Sequence, residues 1–421
     1  MVTGMREMKD SGIEWAPRIP ESWSVKKAKY NFRNHKYIPG AKSAEYDRLA
    51  LTLNGVIHRS KDDADGLQPK DFLTYQLLKK GELVFKLIDL QNVSTSRVGL
   101  AHDTGLVSPA YIILHATGDV LPEFAEKYFL MLWHREIFNA LGDNGVRSNL
   151  TSTDLLNIPI CYPSVLEQKR IAAFLDSKCA EIDALSADIQ SEIDTLEAYK
   201  RSVITEAVTK GLDKNAPMKD SGTQWLGCIP AHWNISRIGS VYKLRNTKVS
   251  DKDYGPLSVT MKGVVPQLDS AAKTNAHDDR KLVKEGDFVI NSRSDRRGSC
   301  GISPIDGSVS LINTVLAPLD EMNPEYYDWL FHTAEFADEF YKCGHGIVDD
   351  LWTTGWQDMK RILISYPPLE EQANIAEYLN DMCSDVDAII AQKQEQLAVL
   401  ADYKKSIIYE YVTGKKEVPV A

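Results

Sequence analysis

Two short polar stretches carry most of the residues able to do recognition chemistry. The run NSRSDRRGSCG (Asn291 to Gly301) sets Arg293, Arg296 and Arg297 among Ser, Asp and Gly after an apolar run that reads as a strand. A guanidinium is a planar fork of donors, matched to the acceptor pair on a guanine edge or to a phosphate. In the first half, IDLQNVSTSRVG offers Gln91, Asn92, Ser94, Ser96 and Arg97, types suited to adenine edges and to nucleic-acid backbone. GDNGVRSNL (Gly142 to Leu150) adds Arg147 and Asn149, and CGHGIVDDL, with His345, is its weaker counterpart in the second half. Arg59 and Lys262 complete the set of candidate nucleic-acid contacts. Any one of these residues alone reads more readily as a solvated surface group, so the expectation attaches to the loops.

Catalytic patterns are missing. There is no GxxxxGK[ST], no GxGxxG after a strand, no HExxH and no GxSxG. Ser365-Tyr366-Pro367-Pro368-Leu369 superficially resembles the Asp/Asn-Pro-Pro-aromatic motif of adenine methyltransferases, but it lacks the Asp or Asn and the trailing aromatic, and it reads as a helix start. The six cysteines are scattered without a CxxC pair, and Cys343-Gly344-His345 has no further ligands nearby, so reduced structural thiols and no metal are expected. An enzyme is the disfavoured reading.

The elements that would hold these loops are duplicated. MKDSGIEWAPRIPESW, from Met8, returns as MKDSGTQWLGCIPAHW from Met218. YPSVLEQKRIAAFLD, from Tyr162, returns as YPPLEEQANIAEYLN from Tyr366, and YKRSVITEAVT as YKKSIIYEYVT. Between these blocks the copies diverge, so the frame is repeated and the filling is not. A length of 421 residues allows two or three domains. Each half shows short β-type runs (Leu83 to Ile88, Ala110 to His115; Phe288 to Asn291, Val309 to Leu316) and then an apolar-faced helix from Pro122 or Pro324.

A long helix is predicted from Val165 to about Val208, some 44 residues or about 66 Å, opened by a capping box of Ser164 and Glu167. Leu175, Ile182, Ile189, Leu196 and Val203 recur every seven residues, with Ile171, Leu185 and Tyr199 interleaved, as on a coiled-coil seam. The second copy repeats this with Leu379, Val386, Leu400 and Ile407, and with Ile375, Met382, Ile389 and Tyr403. The expected fold is α/β or α+β: two similar globular domains (1–162 and 211–366) separated by two long antiparallel helices (163–210 and 367–421, the latter with the tail) in a pseudo-twofold dumbbell. Net charge is −10, and the two helical segments carry −4 and −5 of it, leaving the rest near neutral and free to concentrate bases locally. The N-terminus has no apolar signal and no run is long enough to span a bilayer, so a cytoplasmic protein is expected.

The duplicated SGxxWxxxIPxxW leader, the run GELVFKLIDLQ followed by GLVSPAYIIL, the GDNGVRSNL turn and the paired YPxxxEQxxIAxxL(D/N) helix starts together resemble the specificity (S) subunit of type I restriction-modification enzymes. The resemblance covers essentially the whole chain, in order and in both halves. It implies two target-recognition domains reading the halves of a bipartite double-stranded DNA site across a helical ruler. It also implies no catalytic centre in this chain, with S-adenosylmethionine, ATP and Mg2+ held by partners, namely two methyltransferase (M) subunits and restriction (R) subunits. The exposed helix faces and the leader tryptophans Trp15, Trp23, Trp225 and Trp233 are the expected docking surfaces for the M subunits. Two departures stand out: Ala16-Pro17-Arg18 faces Leu226-Gly227-Cys228, and Ile347-Val348 stands where the first copy has Val146-Arg147. The rival reading is a coiled-coil adaptor whose two ends bind proteins and show no DNA preference.

Overall fold

The computed structural model of the chain describes residues 6–63, 71–91, 95–142, 149–268, 277–293, 296–319, 322–346 and 352–419. Its contacts divide into two compact units, Met1–Ile189 with Glu395–Ala421, and Gln190–Gln394. Each unit therefore takes part of both long helices, which the sequence reading had set apart as separate spacers.

The first unit opens with an antiparallel ribbon of β1 (Met8–Asp10) and β2 (Arg18–Pro20), followed by β3 (Ser24–Lys27) and β4 (Phe32–Asn34). A hairpin of β5 (Arg48–Thr52) and β6 (Gly55–Arg59) leads to β7 (Gln76–Leu78), β8 (Leu83–Phe85), β9 (Val98–Leu100), β10 (Gly105–Val107) and β11 (Ile112–Ala116). These form two four-stranded sheets, β4-β11-β8-β9 and β6-β5-β10-β7. Leu83, Val84 and Phe85 are all buried, so β8 is covered on both faces, which is why its sequence is continuously apolar and does not alternate. Helices α1 (Pro122–His134), α2 (Ile137–Leu141) and α3 (Ser152–Asn157) follow, then β12 (Pro159–Tyr162), which pairs back onto β3, and α4 (Val165–Lys210). Pro122 sits in the first turn of α1, where its missing N–H costs nothing. Phe124, Tyr128, Phe129 and Leu132 face the sheet, with the Phe129 ring 5.0 Å from that of Phe85.

The second unit repeats the plan. Ribbon β13 (Met218–Asp220) and β14 (Cys228–Pro230) precedes β15 (Asn234–Arg237), the short α5 (Ile238–Val241), β16 (Tyr242–Leu244) and β17 (Lys248–Val249). Hairpin β18 (Leu257–Thr260) and β19 (Gly263–Pro266) leads to β20 (Arg280–Val283), β21 (Phe288–Asn291), β22 (Cys300–Ile302), β23 (Gly307–Val309) and β24 (Asn313–Pro318). Then come α6 (Pro324–Phe331), α7 (Ala334–Lys342), α8 (Trp356–Met359), β25 (Leu363–Tyr366), which pairs with β15, and α9 (Leu369–Val412). The sheet β16-β24-β21-β22 has the order of β4-β11-β8-β9. Among the described strands pairing is antiparallel except between β5 and β10, with a parallel bridge at the matching place in the second unit, Pro256 to Ser308, so the class is α+β.

Within each unit, segments of α4 and α9 pack antiparallel. In the first, the rings of Phe174 and Tyr411 lie 4.6 Å apart and Lys404 Nζ reaches Asp183 Oδ1 at 2.6 Å. In the second, Lys200 Nζ reaches Asp387 Oδ2 at 2.6 Å, and Lys393 pairs with Glu192. One predicted seam column is observed, with Leu175, Ile182, Ile189, Leu379, Val386 and Ile407 all buried. The interleaved column is displaced by one residue along most of its length. Leu185, Tyr199, Ile389 and Tyr403 are exposed, while Ile193, Cys383 and Ile390 are buried and Ser186, Lys200 and Lys404 are half-buried. The capping box is half made: Ser164 Oγ accepts from the Glu167 N–H at 3.4 Å, but the Glu167 carboxylate accepts from Arg6 and Trp23.

Candidate nucleic-acid interface

In the second unit β21 feeds the arginine loop. Ser292 is buried with its hydroxyl 2.9 Å from that of Thr314, and the Arg293 N–H donates to Asn291 Oδ1 at 3.0 Å. The strand thus ends rigidly and the next side chain emerges to solvent. Thr353 bridges to both Arg293 and His345, which brings these two predicted residues together. His345 is exposed, with Nε2 3.4 Å from Asp358. Arg297 pairs with Asp338 and lies over the Tyr341 ring at 4.6 Å, so its fork is oriented by α7. Arg296 is exposed. Between this loop and α7 lies a small pocket bordered by Arg293, Arg297, Phe340, Tyr341 and Trp352. Lys262 is exposed at the tip of the β18–β19 hairpin. The neighbouring Gly263 packs so closely on β22 that a Cβ at Gly301 would come within 2.7 Å of its Cα.

In the first unit the polar loop is built differently. Arg97 is fully buried: Nη2 donates to the Asp89 carbonyl at 2.6 Å, and Nη1 lies 3.5 Å from the carbonyls of Lys86 and Ile88. Burial lowers the Arg97 guanidinium from its ordinary value, opposed by the charge of Asp89. Ser96 is buried too, its hydroxyl donating to the Val98 carbonyl at 2.7 Å. Neither side chain offers a surface to a base, because both are consumed in shaping the turn; this corrects their place among the contacts. Asn149 is exposed, and its Oδ1 accepts from the Asp89 N–H at 3.0 Å. Arg59 donates through Nε to Asp63 at 2.7 Å and keeps part of its surface open. Asn92 and Arg147 lie outside the described residues.

The leader tryptophans are mostly interior. Trp23 and Trp233 are 1% and 0% exposed, and Trp225 packs on Phe336 while donating to the Leu363 carbonyl. These three are core residues and cannot be docking surface without unfolding their unit. Trp15 alone is half-exposed, beside an open pocket with Arg135 and Leu141, its indole N–H donating to Tyr128.

Sequence reasoning missed Gln168 and Gln372, which are fully buried. Gln168 accepts from the Leu121 N–H at 2.8 Å and donates to the carbonyls of Asp119 and Pro163 at 3.0 Å, fastening the start of α1 to the start of α4. Gln372 does the same for α6, accepting from the Asn323 N–H and donating to the Pro367 carbonyl, both at 2.9 Å. Their signal was identity between the two copies. Asp89 was also missed, and nothing in its sequence neighbourhood marks it.

Residues 230–399 match the family model described as Type I restriction modification DNA specificity domain. Over 95% of its length the chain is 26% identical to the putative type I restriction enzyme MjaX specificity subunit of Methanocaldococcus jannaschii, also covering 95% of that protein. The chain is thus similar to type I specificity subunits over nearly its whole length. It is 24% identical to the EcoKI specificity subunit of Escherichia coli K12 over 63% of this chain and 58% of that one. A solved chain described in a study of complex assembly and conformational transition of the type I R-M system shares the fold, with a TM-score of 0.68 and 16% identity over 94% of this chain and 99% of that one. Among the described residues no group of three or more His, Cys, Asp or Glu is placed to hold a metal ion, and all six cysteines are free. Among the described residues, no helix is long and apolar enough to cross a membrane.

Proposed function

We propose that this chain is the DNA sequence-recognition subunit of a type I restriction-modification enzyme, each unit reading one half of a bipartite site. The observation that carries the reading is one strand order, in β4-β11-β8-β9 and β16-β24-β21-β22, bearing unlike loops. Two readers of different sequences need a common mounting and different base-facing edges. In this reading the subunit is not catalytic and acts in the cytoplasm. Two M subunits supply S-adenosylmethionine-dependent methylation of adenine, and R subunits supply ATP- and Mg2+-dependent translocation and cleavage. Exposed apolar residues at matching repeat positions, Leu185 and Tyr403 in the first unit and Ile389 and Tyr199 in the second, support docking of two like partners on the helices. A net charge of −10 supports partners that provide much of the positive surface facing phosphate. The adaptor reading is disfavoured by the family match.

Mapping genomic adenine methylation with and without this gene tests the reading. A methylated bipartite sequence that vanishes with the gene is expected, and unchanged methylation would refute it. Within a mapped site, Arg293→Ala is expected to relax one position in one half-site, by about 1 to 3 kcal/mol for a bidentate contact. Equal loss on every duplex would make Arg293 a phosphate contact.

A further inference from the structure

The first-unit loop after β8 is more tightly built than a surface loop needs to be. Leu87 and Leu90 are each 1% exposed and anchor its two sides, leaving only Ile88 and Asp89 projecting between them. Asp89 holds the left-handed backbone, φ 52°, which is uncommon for a residue with a Cβ and costs about 1 kcal/mol or more. That conformation is held from both sides, because the Asp89 carbonyl accepts from the buried Arg97 and the Asp89 N–H donates to Asn149. The Leu150 N–H adds a bond to the Leu87 carbonyl at 2.9 Å. The far side of the same loop and a segment distant in sequence thus fix the backbone around one exposed carboxylate.

We infer that Asp89 is a base-reading residue of the first unit, accepting a hydrogen bond from the exocyclic amino group of a major-groove base, cytosine foremost, and that Arg97 and Asn149 are its positioning residues. The inference rests on the DNA-recognition reading above. An ionised carboxylate only accepts, so it suits the amino group of cytosine and is repelled by the acceptor edges of guanine and thymine. The cations of Lys86 and Arg97 interact with Asp89 and offset the repulsion that a lone acid would meet among phosphates. The second unit supports the placement. Leu83 pairs with Leu114 as Phe288 pairs with Leu316, and counting on from these strands puts Ile88 where the second unit has Arg293. The two units therefore carry an acid tip and a guanidinium tip at adjacent positions of the same frame.

The test uses the full chain assembled with its methyltransferase partners and duplexes carrying the mapped site, with each base of each half-site varied singly. Asp89→Ala is expected to cut discrimination about tenfold or more at one position of one half-site, leaving the other half-site unchanged. Asp89→Asn should shift that position toward adenine. Asp89→Gly, which the left-handed backbone favours, should keep or raise thermal stability and still lose the discrimination, separating recognition from folding. Asn149→Ala should blur the same position, and Asn149→Asp, which keeps the acceptor, should restore part of it. A selective wild type whose preferences survive Asp89→Ala, or a variant weakened equally on all duplexes, would overturn this inference alone. A wild-type complex without sequence preference would overturn it together with the proposed function.

Discussion

The two glutamines of the repeated YPxxxEQ motif show how a side chain buried from solvent can define a frame. Gln168 satisfies one N–H and two carbonyls that the turn before α1 and the start of α4 would otherwise leave bare. Leaving such groups unpaired in a core costs about 1 to 3 kcal/mol each before relaxation. Gln168→Leu is therefore expected to destabilise the first unit by about 2 to 3 kcal/mol, read as a lower urea midpoint for that unit, and an unchanged midpoint would show that water replaces the amide. The motif was legible as shared frame, but its duty was not, because the partners at Asp119 and Leu121 lie far upstream. The same limit governed Ser96, Arg97 and Asn149. Residue type showed that they could bond to a base, but direction is set by the fold, which turns Ser96 and Arg97 inward and aims Asn149 at a backbone N–H. Arg293 and Lys262 are exposed, so for them residue type alone pointed the right way.

At the scale of elements, both long helices, their starts and one contact column were readable from the heptad pattern. The second column was misplaced by one position because size and apolarity drew it to Leu185, Tyr199, Ile389 and Tyr403, whereas the half-buried column carries Ser186, Lys200 and Lys404. A lysine can occupy such a column by burying its methylene stem while its ammonium reaches the edge, as Lys404 does to Asp183 and Lys200 to Asp387. These exposed pairs contribute at most about 1 kcal/mol each, so they set register more than stability. Leu185→Lys is accordingly expected to change stability by less than about 0.5 kcal/mol, whereas Ile182→Ala should cost about 2 to 4 kcal/mol. Chemical denaturation of the two variants compares them directly, and equal losses would return Leu185 to the seam.

At the scale of the molecule, the repeat announced two similar units, yet their boundaries were not legible. Sequence order suggested contiguous blocks, whereas the first unit recruits Ile407, Ile408, Tyr411 and Val412 into the core that holds α1. Gly414, with φ 70°, then turns the chain where a Cβ would come within 2.5 Å of Pro20 and 3.0 Å of Trp23. Gly211 ends α4 against Trp233 in the same way in the second unit. Ile408→Ala is expected to cost the first unit about 2 to 4 kcal/mol. In hydrogen exchange it should deprotect α1 and leave α6 protected, and loss in both or neither would contradict the division.

That discontinuity gives synthesis an awkward order. The first unit begins to leave the ribosome before the second but lacks its closing turns until the segment from Glu395 onward has been made, so its apolar face must wait, uncovered, while the later unit can already fold. A stop codon placed just before Glu395 would then wound the part of the protein made earlier.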